Sequence, residues 1–401
     1  MPPAESPGAS ERPLVLVWKR AWLQDSETFV RNQMRGLHRW RALGAGLEHT
    51  GSGVLREESD RVLYDPISSW QRRALLLRWF GVSRGLDALI AEQRPELIHA
   101  HFLTDAAYIA RYARRRRIPL VVTGHGYDVT SWPRATGAPR SLRPLARLQR
   151  ALTARAVFRH AYAVVGVSRF IADGLVRLGA DPNRTEVRYI GIPTVADAPS
   201  QDASREGVVF VGRLSDKKGV ADLLDAMAAL PLPLRDVPLT IVGDGHLRAA
   251  LGEQAARLGL TRATFVGSRP PAEVAEILRT AAVFCAPSLT ASNGDAEGFG
   301  MVFLEAALAG APVVSYAHGG VPEAVEDGVT GMLVPEADVT ALSTALAALL
   351  GDPARAETMG RAGRERVLAS FDLSDRIRDL EDLYDRAAGR ARSTTTNGER
   401  R

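Results

Sequence analysis

The chain has 401 residues, 46% of them apolar and 24% charged, with one cysteine and a formal net charge of +5. This length gives two domains room for separate cores, and the average charge content excludes a disordered polyelectrolyte. A single cysteine excludes an intrachain disulfide, and no run of 18 apolar residues is present to cross a bilayer.

Residues 1–12 are rich in Pro, Ser and Glu. They lack the apolar core of a signal peptide, so they are predicted to be disordered and the protein cytoplasmic. Leu14–Trp18 reads as a buried strand. It leads into Lys19-Arg20-Ala21-Trp22 and not into a G-x-G-x-x-G turn, which counts against a nicotinamide-dependent oxidoreductase. Ser26, Glu27 and Thr28 precede a helical pattern over 29–43, as an N-cap or as a ligand-facing loop. A second helical pattern covers 75–92. Within 70–80 the residues Trp70, Leu75, Leu76, Leu77, Trp79 and Phe80 interleave with Arg72, Arg73 and Arg78.

Leu97–His101 is the next strand. His99 and His101 alternate on it, but no further ligand cluster accompanies them and no metal site is expected. The helical pattern 106–116 ends in an arginine cluster, Arg111 and Arg114 to Arg117. The strand 120–123 enters Gly124-His125-Gly126, whose glycines leave His125 exposed at a strand end. Asp128 either orients that site or caps the next turn. A helix over 142–158 and a strand over 162–167 complete an N-terminal domain placed at 13–192.

A Pro/Ala/Asp/Ser-rich linker is predicted over 193–204. Val208–Val211, Leu239–Val242, 264–266, 283–286 and 313–315 repeat the strand and helix alternation in a second domain over 205–372. Cys285 lies in an apolar run and reads as a buried small hydrophobe. A final helix over 373–389 is expected to pack back across the first domain, ahead of a disordered tail at 390–401. Alternating strands and helices imply parallel sheets covered on both faces. The expected fold class is α/β: two facing Rossmann-like domains with ligands at the carboxyl ends of the strands.

Charge is shared unevenly. Residues 1–200 hold 30 Lys/Arg against 18 Asp/Glu, and the remainder 21 against 28. A basic half with the amphipathic segment 70–80 fits an anionic membrane surface, or simply a solvated arginine-rich face. No nucleic-acid motif accompanies the basic residues, so no nucleic-acid partner is expected. No pattern specifies an oligomeric state.

The run Asp295-Ala296-Glu297-Gly298-Phe299-Gly300-Met301-Val302-Phe303-Leu304-Glu305 carries the most chemistry. Gly298 and Gly300 let backbone amides approach a ligand, and a helix starting at Gly300 or Met301 aims its positive end at an anion. Two carboxylates beside an anion site make sense if they accept bonds from hydroxyls of the same ligand. A nucleotide sugar has that composition. On a continuous helix Glu297 and Glu305 would stand about 12 Å apart. Paired glycosidase carboxylates need roughly 5–5.5 or 6.5–9.5 Å, so hydrolysis is disfavoured. Arg213 and Lys218 flank a strand-to-helix turn where cations can neutralise a diphosphate. Only three lysines occur, Lys19, Lys217 and Lys218, and two of them are at this turn.

This segment resembles the E-x7-E signature of the family 4 retaining glycosyltransferases. Gly212-Arg213-Leu214 with Asp216-Lys217-Lys218-Gly219, then Gly319-Gly320-Val321-Pro322-Glu323 and Asp327-Gly328-Val329-Thr330-Gly331, follow in that family's order. His99-Ala100-His101-Phe102, Gly124-His125-Gly126-Tyr127-Asp128 and Ser26-Glu27-Thr28-Phe29 are similar to elements of its bacterial polysaccharide members. The resemblance spans about residues 14–370. It implies a GT-B architecture and transfer of a hexose from a nucleotide diphosphate sugar, UDP-hexose favoured over GDP-mannose, to a glycan or lipid-linked acceptor. It implies front-face attack with no separate base, no cofactor and no metal. His125, Glu297, Arg213 and Lys218 would be catalytic. Glu305 would hold the ribose, with Gly298, Phe299, Gly300, Met301 and Val302 around the diphosphate. Phe265, Val266 and Gly267 would border the base, and Ser26, Glu27, Thr28 and Asp128 would serve the acceptor side. A nucleotide-sugar epimerase or a glycosyl phosphorylase on the same plan is the alternative; a sugar-binding module without turnover leaves the charged residues without a task.

Overall fold

Runs of four or five consecutive buried aliphatic residues form parallel strands here, because such strands are covered on both faces. The computed structural model describes residues 12–24, 27–49, 53, 55–63, 70–134, 137–194 and 205–389. Ser26, most of the expected linker and both termini lie outside them, as do the side chains of Trp70 and Gln71.

The first sheet contains β1 (Leu14–Trp18), β2 (Arg41–Gly46), β3 (Arg61–Val62), β4 (Leu97–His101), β5 (Leu120–Gly124), β6 (Ala163–Gly166) and β7 (Thr185–Val187). Its strands are all parallel in the order β3-β2-β1-β4-β5-β6-β7. The second contains β8 (Val208–Val211), β9 (Leu239–Val242), β10 (Ala263–Gly267), β11 (Val283–Cys285), β12 (Val313–Tyr316) and β13 (Gly331–Val334). Its order is β10-β9-β8-β11-β12-β13, again parallel. Each half is a Rossmann-like sheet whose strand order reverses beside its first strand. A crevice therefore opens outside the carboxyl ends of β1 and β4, and another outside β8 and β11.

Two expected helices differ. The pattern 29–43 is a helix only over Thr28–Arg35, and Arg41–Gly46 is strand β2. Its Leu and small residues mimic helical periodicity, but the glycines serve close packing: a Cβ on Gly44 would lie 2.0 Å from the Trp22 ring. The pattern 75–92 is two helices, Trp70–Phe80 and Arg84–Gln93. Gly81 breaks it at φ +62° where the chain passes the Arg111 backbone, and Ser83 Oγ caps the second helix by accepting from Leu86 N at 3.3 Å.

After the second sheet the chain crosses back. Ile192 N donates to Phe371 O and Leu373 N to Ile192 O, both at 3.0 Å. The last helix, Leu373–Ala387, then lies on the first sheet. Its Ile377, Leu380, Leu383 and Tyr384 join Val15, Val17, Trp22 and Trp40 in one buried apolar cluster. Glu381 Oε1 accepts from the amides of His38, Arg39 and Trp40 at 2.6–3.0 Å. The thiol of Cys285 is buried in the second core, and that burial pushes its pKa up.

Candidate active site

Strand β8 ends at Val211 and turns through Gly212, Arg213 and Leu214 into a short 3-10 turn, Asp216–Lys218. Gly219 closes it at φ +64°, where a Cβ would lie 1.9 Å from the Pro287 carbonyl oxygen. The turn therefore sits flush on the segment that follows β11 and brings two lysines to the acidic loop. Lys217 Nζ lies 3.2 Å from Asp295 Oδ2, and Lys218 Nζ donates to Glu297 Oε2 at 2.5 Å. Burial alone would raise the Glu297 carboxyl; Lys218 and Lys217 outweigh it and hold the group at about 2. Arg213 is exposed on the same turn.

Gly300, at φ +86°, is the N-cap of the helix Met301–Leu308. A Cβ there would meet the Phe303 ring at 2.4 Å. The amides of Met301 and Val302 have no acceptor within the helix, which makes this end attractive to an anion. Glu305 lies one turn further, on the face of Met301. Its carboxylate reaches solvent yet is flanked by protein, and this enclosure raises its pKa. The Phe299 ring is buried, stacked 5.3 Å from Tyr189 and tilted against Phe371 at 5.5 Å. Only its backbone is left for a ligand. Phe265, Val266 and Gly267 end the edge strand β10, where Gly267 O accepts from Gly243 N at 2.9 Å and Arg248 donates to Phe265 O at 3.1 Å.

The facing wall is built from the ends of β1, β4 and β5. Lys19 pairs with Glu27 in a buried contact, and its ammonium lies 4.4 Å from the Phe102 ring centroid. Glu27 also accepts from Gln24 N at 2.8 Å and is the N-cap residue of its helix, without a side-chain capping bond. Thr28 is exposed. His125 Nε2 lies 3.0 Å from His101 Nδ1, with the rings of Phe29 and Phe102 at 4.9 and 4.5 Å. His99 is fully engaged: Nδ1 meets the Tyr384 hydroxyl at 2.6 Å and Nε2 the Thr123 hydroxyl at 2.7 Å, so neither nitrogen remains for a metal. Burial lowers all three histidines, His99 to about 3, with Lys19 adding to the effect on His101 and His125. All three are neutral.

Asp128 was open to two readings, and its bonding is that of a loop anchor. It is fully buried and accepts from His125 N and Gly126 N at 3.1 and 3.0 Å and from Leu103 N at 2.7 Å. It shapes the His125 turn and presents no oxygen to an acceptor.

The two walls touch. A Cβ on Gly298 would lie 1.8 Å from the His125 carbonyl oxygen. Thr130 Oγ1 donates to Asp295 at 3.3 Å. Ser168 Oγ donates to Gly298 O at 2.6 Å, while Glu323 accepts from Arg169 N at 2.7 Å, Phe170 N at 3.0 Å and the Tyr189 hydroxyl at 3.0 Å. A carboxylate of the second half thus caps the helix Arg169–Arg177 of the first. His125, Lys218, Glu297, Gly298 and Gly300 come together as the sequence motifs imply. Phe265 to Gly267 stand apart, two strands from β8. Sequence reasoning missed Lys19, His101, Asp295 and Ser168 as parts of this site. The rarity of lysine was a usable signal, since each of the three lysines is paired with a carboxylate here.

Comparison with known proteins agrees with this geometry. Residues 27–195 match the model described as Glycosyltransferase Family 4, and residues 196–366 match Glycosyl transferases group 1. The chain is 34% identical over 318 residues to the GDP-mannose-dependent alpha-(1-6)-phosphatidylinositol monomannoside mannosyltransferase of Mycolicibacterium smegmatis, covering 75% of this chain and 79% of the relative. It is 30% identical over 307 residues to the amylovoran biosynthesis glycosyltransferase AmsK of Erwinia amylovora, covering 76% and 74%. The crystal structure of Anabaena Alr3699/HepE in complex with UDP has the same fold, with a TM-score of 0.73 at 22% identity over 94% of this chain and 100% of that one.

Proposed function

This chain belongs to the family 4 glycosyltransferases, and on that premise we propose that it moves a hexose, with retention, from a nucleotide diphosphate sugar to a glycan or lipid-linked acceptor. The observation that carries the reading is the pairing of Lys217 and Lys218 with Asp295 and Glu297 at a helix N-terminus, opposite His125. Without a ligand the lysines neutralise the carboxylates. A diphosphate at the Met301 and Val302 amides takes up the lysines and Arg213, and this releases Glu297 to accept bonds from the transferred sugar. Glu305 accepts from the ribose. The base lies toward Phe265 to Gly267, about 10 Å from β8 at two strand spacings. His125 closes the sugar from the other wall, and the departing phosphate oxygen takes the acceptor's proton.

Positive charge for the leaving group comes from side chains and a helix end, so no divalent metal is needed in this scheme. UDP-hexose and GDP-mannose are the two donors to separate, the second because of the mycobacterial relative. The test supplies each donor with and without a glycan or lipid-linked sugar acceptor, and reads the released nucleotide and the anomeric configuration of the product. Nucleotide released only with acceptor supports transfer. Isomerised donor without acceptor would identify an epimerase, and a sugar 1-phosphate formed with phosphate would identify a phosphorylase.

A lipid-linked acceptor is favoured by the surface beside this wall. The helices Trp70–Phe80, Leu103–Arg116 and Arg143–His160 pack side by side. They carry twelve arginines and one carboxylate, the buried Asp105. Leu75, Leu76, Trp79, Phe80, Leu145, Leu148 and Leu152 are exposed among them. Binding to anionic vesicles that weakens with salt, and no binding to neutral ones, is the expected outcome in a flotation assay.

A further inference from the structure

The loop from Thr290 to Glu297 holds both carboxylates that grip the lysines, yet it has no secondary structure of its own. Besides the lysines and Thr130, which donates to Asp295 and accepts from Ala296 N, two side chains outside the family motifs, His318 and Glu336, hold it. At its start, Thr290 N donates to Glu336 Oε1. Glu336 Oε2 lies 3.1 Å from His318 Nδ1, and His318 Nε2 lies 3.3 Å from Glu297 N at the other end of the loop. On the far side of the same residue, Glu297 O accepts from Gly320 N at 2.9 Å. The amide and the carbonyl of Glu297 are therefore both held by one turn, 318–320.

The contact requires the glycines that follow His318. Gly319 adopts φ +57°, and a Cβ there would lie 2.3 Å from Glu297 O; one on Gly320 would lie 2.1 Å from Gly298 O. The turn lies flat on residues 297 and 298, which lets a buried imidazole reach the peptide. Its tautomer is fixed by its neighbours: Nε2 faces an N–H and must be the bare nitrogen, so Nδ1 carries the proton and donates to Glu336. Burial opposes ionisation of Glu336, but the Thr290 amide and hydroxyl, with His318, hold its pKa below the ordinary value, so it remains an acceptor.

We propose that His318 is a positioning residue for Glu297: its bare Nε2 fixes the Glu297 peptide, and through it the carboxylate that receives the transferred sugar. The assignment rests on the transferase reading for what Glu297 holds. His318 itself touches no substrate.

The conservative variant is His318→Gln, whose side-chain oxygen can replace Nε2 as acceptor; His318→Phe fills the space without one. His318→Phe should lower kcat on the order of 100-fold, as a displacement near 1 Å costs. Affinity for the nucleoside diphosphate, measured by calorimetry with UDP and GDP, should change less than about twofold, because Lys218 and Glu305 are untouched. His318→Gln should recover most of kcat. Hydrogen exchange of the peptide containing the Glu297 amide, read by mass spectrometry, should accelerate in His318→Phe and stay slow in His318→Gln. This readout needs no turnover, so it remains decisive even if the wild-type protein transfers no sugar, a result that would overturn the transferase reading alone. Equal loss of protection in both variants, or unchanged protection in His318→Phe, would overturn the positioning role. A fall in nucleotide affinity that matches the fall in kcat, with a lowered melting temperature, would show a merely structural histidine.

Discussion

The two walls of the cleft solve opposite problems. The wall from the first half belongs to the more basic part of the chain, yet its centre is uncharged: His99 and His101 are buried and His125 half-buried, all three neutral, Asp128 accepts from three backbone amides, and Lys19 is enclosed with Glu27. The second half is acidic overall, yet its wall presents the cations, with Lys217 and Lys218 balanced by Asp295 and Glu297. Net charge of a region therefore says little about its site. A neutral, bonded wall has one arrangement to offer. Ion pairs at a helix N-terminus have two under the proposed reading, in which each lysine there exchanges a carboxylate for a phosphate. The first wall is built to hold shape and the second to change partners.

The largest test of that difference is Glu297→Ala. Turnover should fall on the order of 100-fold because the sugar is no longer held, while affinity for the free nucleoside diphosphate stays nearly unchanged. Lys218→Ala should weaken that diphosphate by about 10- to 100-fold, the worth of a bond to a charged group. Glu305→Ala should resemble Lys218→Ala. Calorimetry and initial rates on the three variants decide the matter; a Glu297→Ala variant that loses the nucleotide as severely as the other two reverses the roles.

A smaller effect should come from the neutral wall. His99 is lowered from 6.5 to about 3 by burial, so below its ordinary pKa the unfolded chain binds a proton that the native state refuses. Stability is complete above pH 6.5 and falls as pH drops toward 3, by up to about 1.4 kcal/mol per pH unit from this group. Urea titrations across that range should show the slope, and His99→Gln should reduce it, leaving the part that His101 and His125 contribute. An unchanged slope in the variant assigns the acid loss elsewhere. The smallest expected effect is none: excess EDTA should leave turnover intact, and loss restored by magnesium or manganese would mean that the paired lysines do not suffice for the leaving group.

Most of the strand positions were legible because parallel strands buried on both faces are uninterrupted apolar runs; Leu14–Trp18, Val208–Val211 and Leu239–Val242 stand where the sequence puts them. Strand β2 was not legible, since its Gly44 and Gly46 answer to the Trp22 ring and the Lys19 carbonyl, contacts made only in the folded molecule. The site divides the same way. Local motifs pointed to Glu297, Lys218 and the Gly300 turn. The partners of His125 and Glu297 come from other strands: His101 reaches His125 across neighbouring β4 and β5, and His318 reaches Glu297 from beyond β12. Spacing along the chain carries no trace of such encounters.

The return of the helix Leu373–Ala387 onto the first sheet has a consequence for synthesis. The half that leaves the ribosome first takes part of its core from residues translated after the second half. Val15, Val17, Trp22 and Trp40 share their apolar cluster with this helix, and the Trp40–Asp385 and His99–Tyr384 hydrogen bonds form only once residues 373–387 have been translated. The strands of the second sheet all precede this helix in the chain, so that sheet needs none of its residues. A nascent chain stopped before Leu373 lacks the Ile377, Leu380, Leu383 and Tyr384 side chains that cover Trp22 and Trp40 on this sheet. Such chains present an apolar surface of the kind that chaperones capture.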